Sequence, residues 1–172
     1  MFPYPNSYET EDERIELTYD SRFNNEKLIF LATTARGTKI LVKFTRRHSK
    51  EAHRHCAEAG VAPSLVGFQS LLAGWYMADM EYMDPNTYRV LEPEDGSEPR
   101  LMDKIQEVVK VLHNGGFVHG GSRDVNMMTR RRWNRGERTE RLSTRPIGGA
   151  VITPEHDWAM VHCIFDSTGS LY

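Results

Sequence analysis

Hydrophobic positions come in short β-branched runs in the first half of the chain and recur at helical spacing in the second. KLIFLATT and TKILVKFT flank a turn at Ala35-Arg36-Gly37, a pattern that predicts an antiparallel hairpin. SKEAHRHCAEAG predicts a helix, with Ser49 able to accept from its free first-turn N–H groups and Gly60 suited to a left-handed cap. SLVGFQSLL and GWYMADMEYM follow as two more strands divided by Ala73-Gly74. DPNTYRVLEPEDGSEP is acidic and proline-punctuated and reads as a connecting loop. Leu101, Ile105, Val108, Val109 and Leu112 then mark an amphipathic helix that Gly115-Gly116 ends. FVH leads into the polar GGSRDVNMM, and the tail has a short strand-like AVI and no clear pattern after it.

Charge changes the picture in one place. The 172 residues carry a formal net charge of −2. Residues 130–145 hold seven arginines and two glutamates, +5 in net charge, so the remainder carries −7. This segment has no apolar periodicity and reads as an exposed basic insertion. Hydrophobic residues at 39% are enough for a core and too many for a disordered chain. Two cysteines, Cys56 and Cys163, make no disulfide framework and point to an intracellular, cytoplasmic compartment. The first residues lack the pattern of a secretory signal, and no apolar run is long enough for a membrane helix, so no membrane association is expected.

The chemistry starts at Lys43, inside the apolar run ILVKF, where the plainest reading is a lysine on a strand's solvent face. Glu51 follows on the next helix, where the helix dipole alone favours a carboxylate. A strand lysine followed by a helix glutamate is also the pair that positions nucleotide phosphates in kinases. Further on, His119 and Asn126 stand seven residues apart, the spacing of the H-R-D-L-x-x-x-N catalytic loop, after an amphipathic helix and the short FVH run. Together with VKFTRRHSKEAHRHCAEAGVAPSLVGF, GWYMADMEYM and GGFVHGGSRDVNMM, these features make the chain resemble the fungal-type protein-kinase-like group, from about Phe23 to Met128.

The resemblance implies an α+β, two-lobed protein-kinase-like fold, with a β-rich small lobe and a truncated helical large lobe. Residues 1–22 would be a loose lead-in, 23–84 the small lobe with its hinge, and 85–172 the large lobe carrying the basic insertion. It also implies ATP and Mg as ligands and phosphate transfer to protein hydroxyls as the ancestral reaction. Lys43 would hold the phosphates and Glu51 would fix Lys43, while Glu81 at the strand-to-hinge segment would lie at the nucleotide. Asn126 and Glu155 would hold magnesium, and Arg123 would neutralise charge near the transferred phosphate.

Three departures qualify the implied activity. The catalytic aspartate position is Gly121, which has no side chain, and general-base help is typically worth about 10²–10⁴ in rate. Glu155-His156-Asp157-Trp158 replaces the magnesium-binding motif, and no glycine precedes Gly37, where a glycine-rich loop belongs. The chain stops soon after the Asp157-Trp158 pair, leaving no room for an activation segment and the helices that bind a protein substrate. A weakened or inactive kinase is therefore expected, with a non-catalytic pseudokinase or protein-interaction module, or a non-functional fragment, as the alternatives.

Two other chemistries are not expected. Of His48, His53, His55 and Cys56, only His53 and Cys56 share a helix face, short of the roughly four ligands that zinc needs. The arginine segment with Trp133 could contact nucleic-acid phosphates, but a solvated insertion is the simpler reading.

Overall fold

The computed structural model describes residues 4–10, 12–24, 27–91, 99–118, 127–130 and 143–144. The chain divides into two compact units, residues 1–48 with 64–82, and residues 49–63 with 83–172.

Six antiparallel strands build the first unit: β1 (Ser7–Glu9), β2 (Arg14–Asn24), β3 (Ile29–Thr34), β4 (Lys39–Thr45), β5 (Leu65–Ser70) and β6 (Tyr76–Glu81). Their order across the sheet is β1-β2-β3-β4-β6-β5. β3 and β4 form the hairpin anticipated from their alternation, with Gly37 at φ 80° in the turn, where a side chain would be strained. β5 and β6 are joined through Ala73 and Gly74, both at positive φ, and Leu72 at this tip is 90% exposed.

Alternation sorts the apolar side chains onto two faces. One face gathers Tyr8, Leu17, Ala32, Ile40, Val42, Phe44 and Met77. The other gathers Ile29, Leu41, Ala78 and Met80. β2 is long and carries register shifts between Tyr19 and Ser21 and between Arg22 and Asn24. Such bulges bend a strand and increase its twist. The bent sheet brings its two end strands, β1 and β5, side by side, although no ladder pairing joins them among the described residues. The result is a nearly closed, barrel-like sheet.

Side chains complete the seam. Gln69 Nε2 donates to the Ser7 carbonyl at 3.3 Å, and the Tyr19 hydroxyl donates to the Pro5 carbonyl at 2.6 Å. A Cβ on Gly67 would lie 2.6 Å from Tyr8 Cδ2 and 2.8 Å from Asp79 Oδ2, so only glycine admits the tyrosine ring.

In the second unit, α1 (Lys50–Glu58) starts at Ser49, whose hydroxyl accepts from Ala52 N, as the sequence implies. Gly60 follows it at φ 74°. α2 (Pro99–Asn114) buries Leu101, Ile105, Val108, Val109 and Leu112, the stripe read from the sequence. His55 on α1 donates from Nε2 to the Val111 carbonyl at 2.8 Å. The ring lies where a side chain on Gly115 would otherwise sit, 2.7 Å from an ideal Cβ. β7 (Tyr88–Val90), β8 (Met127–Arg130) and β9 (Ser143–Thr144) form a small antiparallel sheet.

These observations overturn the two-lobed α+β kinase-like fold. Strand exceeds helix, 43% against 24%, in a nearly closed six-stranded sheet with only two α-helices among the described residues. The physical reason lies in two stretches. The supposed lead-in, 1–22, supplies β1 and most of β2, which carry the sheet round toward closure. Within the acidic segment taken as loop, Tyr88–Val90 pairs with Met128–Arg130, so the second unit holds a sheet where a helical lobe was anticipated. α1 belongs to the second unit.

No helix among the described residues is long and apolar enough to cross a membrane. Replacing Gly67 by alanine forces its Cβ against Tyr8 and should cost about 1–3 kcal/mol, the usual penalty for overpacking. Chemical denaturation should show a lower midpoint with an unchanged slope.

Candidate functional site

Lys43 sits on β4 directly opposite Ile29 of β3 and Ala78 of β6. The side chain is half-buried and shares its face with Leu41, Ile29, Ala78 and Met80. Leu31, Leu65, Phe68 and Tyr82 pack around that apolar group. Phe23 meets Tyr82 edge-on at 6.5 Å, and Phe68 stacks between Tyr76 and His48 at 5.3 and 5.5 Å. A cation is thus set into a largely apolar sheet face, with the long lysine stem lying along its neighbours. The aromatic residues of the GWYMADMEYM run act as packing groups, the default for such a strand.

The other nominated residues are distributed differently. Glu81 ends β6 opposite Ile40. Its N–H donates to the Ser64 carbonyl at 2.9 Å, and its carboxylate accepts from Ser64 N at 3.2 Å, so it ties down the start of β5. By strand alternation Glu81 shares the face of Met77 and Asp79, opposite to that of Lys43. Glu51 is exposed in the first turn of α1, in the second unit. Arg123, Asn126, Glu155 and the glycine at 121 lie outside the described residues. So does the basic insertion, apart from Arg130 and the backbone of Ser143–Thr144. Ser21–Asn24 continue β2 as extended strand.

Asp79 is the residue that sequence reasoning passed over. It lies on β6 opposite Val42, on the face of the closed core, and is 0% exposed. Neither carboxylate oxygen has a hydrogen-bond partner among the described residues. Burial without compensation disfavours the charged form, and the carboxyl pKa is pushed up from 3.8 to about 7. The same burial raises the Tyr8 and Tyr19 hydroxyls, with Asp79 the second cause in each. The signal was present in YMADMEYM, where strict alternation puts Met77, Asp79 and Glu81 on one face and an acid among core positions.

The helix residues weighed as metal ligands have other work. His53 is buried and donates from Nε2 to the Pro63 carbonyl at 2.9 Å, which fixes the tautomer because a carbonyl only accepts. Cys56 is buried beside it, and desolvation pushes its thiol up to about 11, so it stays protonated and inert at neutral pH. Among the described residues no group of three or more His, Cys, Asp or Glu is placed to hold a metal ion.

Comparison of the chain with models of known protein families gave no match. Comparison with curated proteins gave no significant match.

Asp79 makes stability depend on pH in a definite direction. Its folded pKa lies above the unfolded value, so the native state binds a proton more tightly than the unfolded chain. The associated stability, about 4 kcal/mol at 1.4 kcal/mol per pH unit, is fully present below pH 4 and is lost as pH rises to 7. Equilibrium unfolding between pH 4 and 8 should show this decline, flattened in Asp79→Asn.

Proposed function

We propose that the chain is a nucleotide-binding module, taking the phosphates of an adenine nucleotide at Lys43, without efficient phosphoryl transfer. The observation that carries this reading is the register of Lys43, flanked by Ile29 and Ala78 on the adjacent strands and set among Leu41 and Met80. A half-buried ammonium among apolar neighbours suits the anionic end of a ligand. The sequence resemblance adds ATP and magnesium as the ligand class.

Slow or absent transfer follows from Gly121 at the base position. Magnesium enters as the ordinary companion of a polyphosphate. The residues that the resemblance would give it, Asn126 and Glu155, lie outside the described residues, and no step is assigned to the ion.

Calorimetric titration of the full chain with ATP, with and without magnesium, tests the reading. ATP should bind, AMP should bind more weakly, and Lys43→Ala should weaken ATP by about 10–100-fold, the worth of one charge-assisted hydrogen bond. Absence of binding by folded protein, or equal affinity of the alanine variant, would remove the nucleotide reading. A protein-interaction module would then be the class to pursue.

A further inference from the structure

Asp79, Tyr8 and Gly67 converge at the seam between β1 and β5, on the face opposite Lys43. Three features single the seam out. It is the one edge of the sheet closed without a ladder pairing among the described residues. Its acid is wholly buried with both oxygens unpartnered among the described residues. Its covering strand has only three residues, pairs in a ladder with β2 alone, and is tied further by Gln69 to the Ser7 carbonyl, Arg14 Nε to Ser7 Oγ at 2.9 Å, and Leu17 N to the Asn6 carbonyl at 2.7 Å.

We propose that this seam is a pH-sensitive latch, in which protonated Asp79 lets β1 seat against β5 and ionised Asp79 favours release of β1 from the sheet. An ionised carboxylate here has no donor among the described residues, and water is its natural partner. Water reaches it most readily by lifting Tyr8, the residue whose ring covers Gly67 beside it.

The groups around Asp79 support a single titrating centre. β1 presents Tyr8 and β2 presents Tyr19, both with hydroxyls raised and therefore neutral. β3 contributes Phe30 and Ala32, and β4 contributes Ile40, Val42 and Phe44, none of them ionisable. β5 contributes Gly67 and the neutral Gln69. Arg36 and Glu13 pair at the surface and act on Tyr8 with opposite signs. Nothing in this set replaces Asp79 as the switch.

Opening should follow the proton that Asp79 loses. When β1 lifts, the carboxyl returns toward its ordinary value, so the opening constant rises about tenfold per pH unit between pH 4 and 7 and levels off above 7. Amide hydrogen exchange on the full chain reads this directly after correction for the intrinsic pH dependence of exchange. Amides of the β1–β2 pairing, Leu17 among them, should exchange about a hundredfold faster at pH 7 than at pH 5. They should also exchange faster than those of β3 and β4 throughout, and Asp79→Asn should abolish the slope.

A flat profile in the wild type, or a slope retained in the variant, overturns the latch. So do β1–β2 amides exchanging no faster than those of β3 and β4, which would make Asp79 a group coupled to global unfolding alone. Should the variant not fold, a carbon-13 titration of the Asp79 carboxyl in the wild type decides the point. A midpoint near 7 that coincides with the rise in exchange upholds the latch, and one near 4 overturns it.

Discussion

A close approach between two strands that share no ladder shapes the first unit. β1 and β5 meet through the ring of Tyr8 lying on Gly67, where even a methyl group would collide. That contact closes an antiparallel sheet whose end strands would otherwise expose their backbone groups and invite pairing with other chains. Tyr8 of β1 joins the buried interior of Leu17, Ala32, Ile40, Val42, Phe44 and Met77. Asp79 is desolvated beside the same close approach, which raises its carboxyl pKa.

Strand alternation then separates two chemistries that lie side by side in register. Val42 is opposite Asp79 and Lys43 is opposite Ala78. A lysine and an aspartate within one residue of direct apposition would ordinarily pair, but a pleated strand sends successive side chains to opposite faces. Lys43 accordingly lies on the face of the buried Ile29, Leu41 and Met80, while Asp79 is enclosed with Tyr8 and Tyr19. One face carries the half-buried Lys43 among apolar neighbours. The other holds an acid that burial keeps neutral well above its ordinary range.

Local structure was legible in the sequence wherever a short-range rule fixed it. The β3–β4 hairpin followed from alternation and Gly37, the start of α1 from Ser49, and α2 from its apolar stripe. Closure was not legible, because it depends on a contact between residues 8 and 67 that no local pattern encodes. The acidic, proline-bearing lead-in therefore looked loose although it contains β1. Tyr88–Val90 was lost in the same way, since its partner lies some forty residues further along. Lys43 was noticed because a charge interrupts an apolar run. Asp79 interrupts a similar run, but the strand there is also read as packing, and only three-dimensional burial shows that the carboxylate has no partner among the described residues.

The most direct test of the closed sheet is a nuclear Overhauser measurement between the aromatic protons of Tyr8 and the α-protons of Gly67. Strong cross-peaks, accompanied by contacts between Ser7 and the Gln69 side-chain amide, are the expected result. Their absence from a spectrum that retains the β3–β4 cross-strand contacts would show an open sheet with β1 detached. Asp79 would then face water, contradicting the account of its burial.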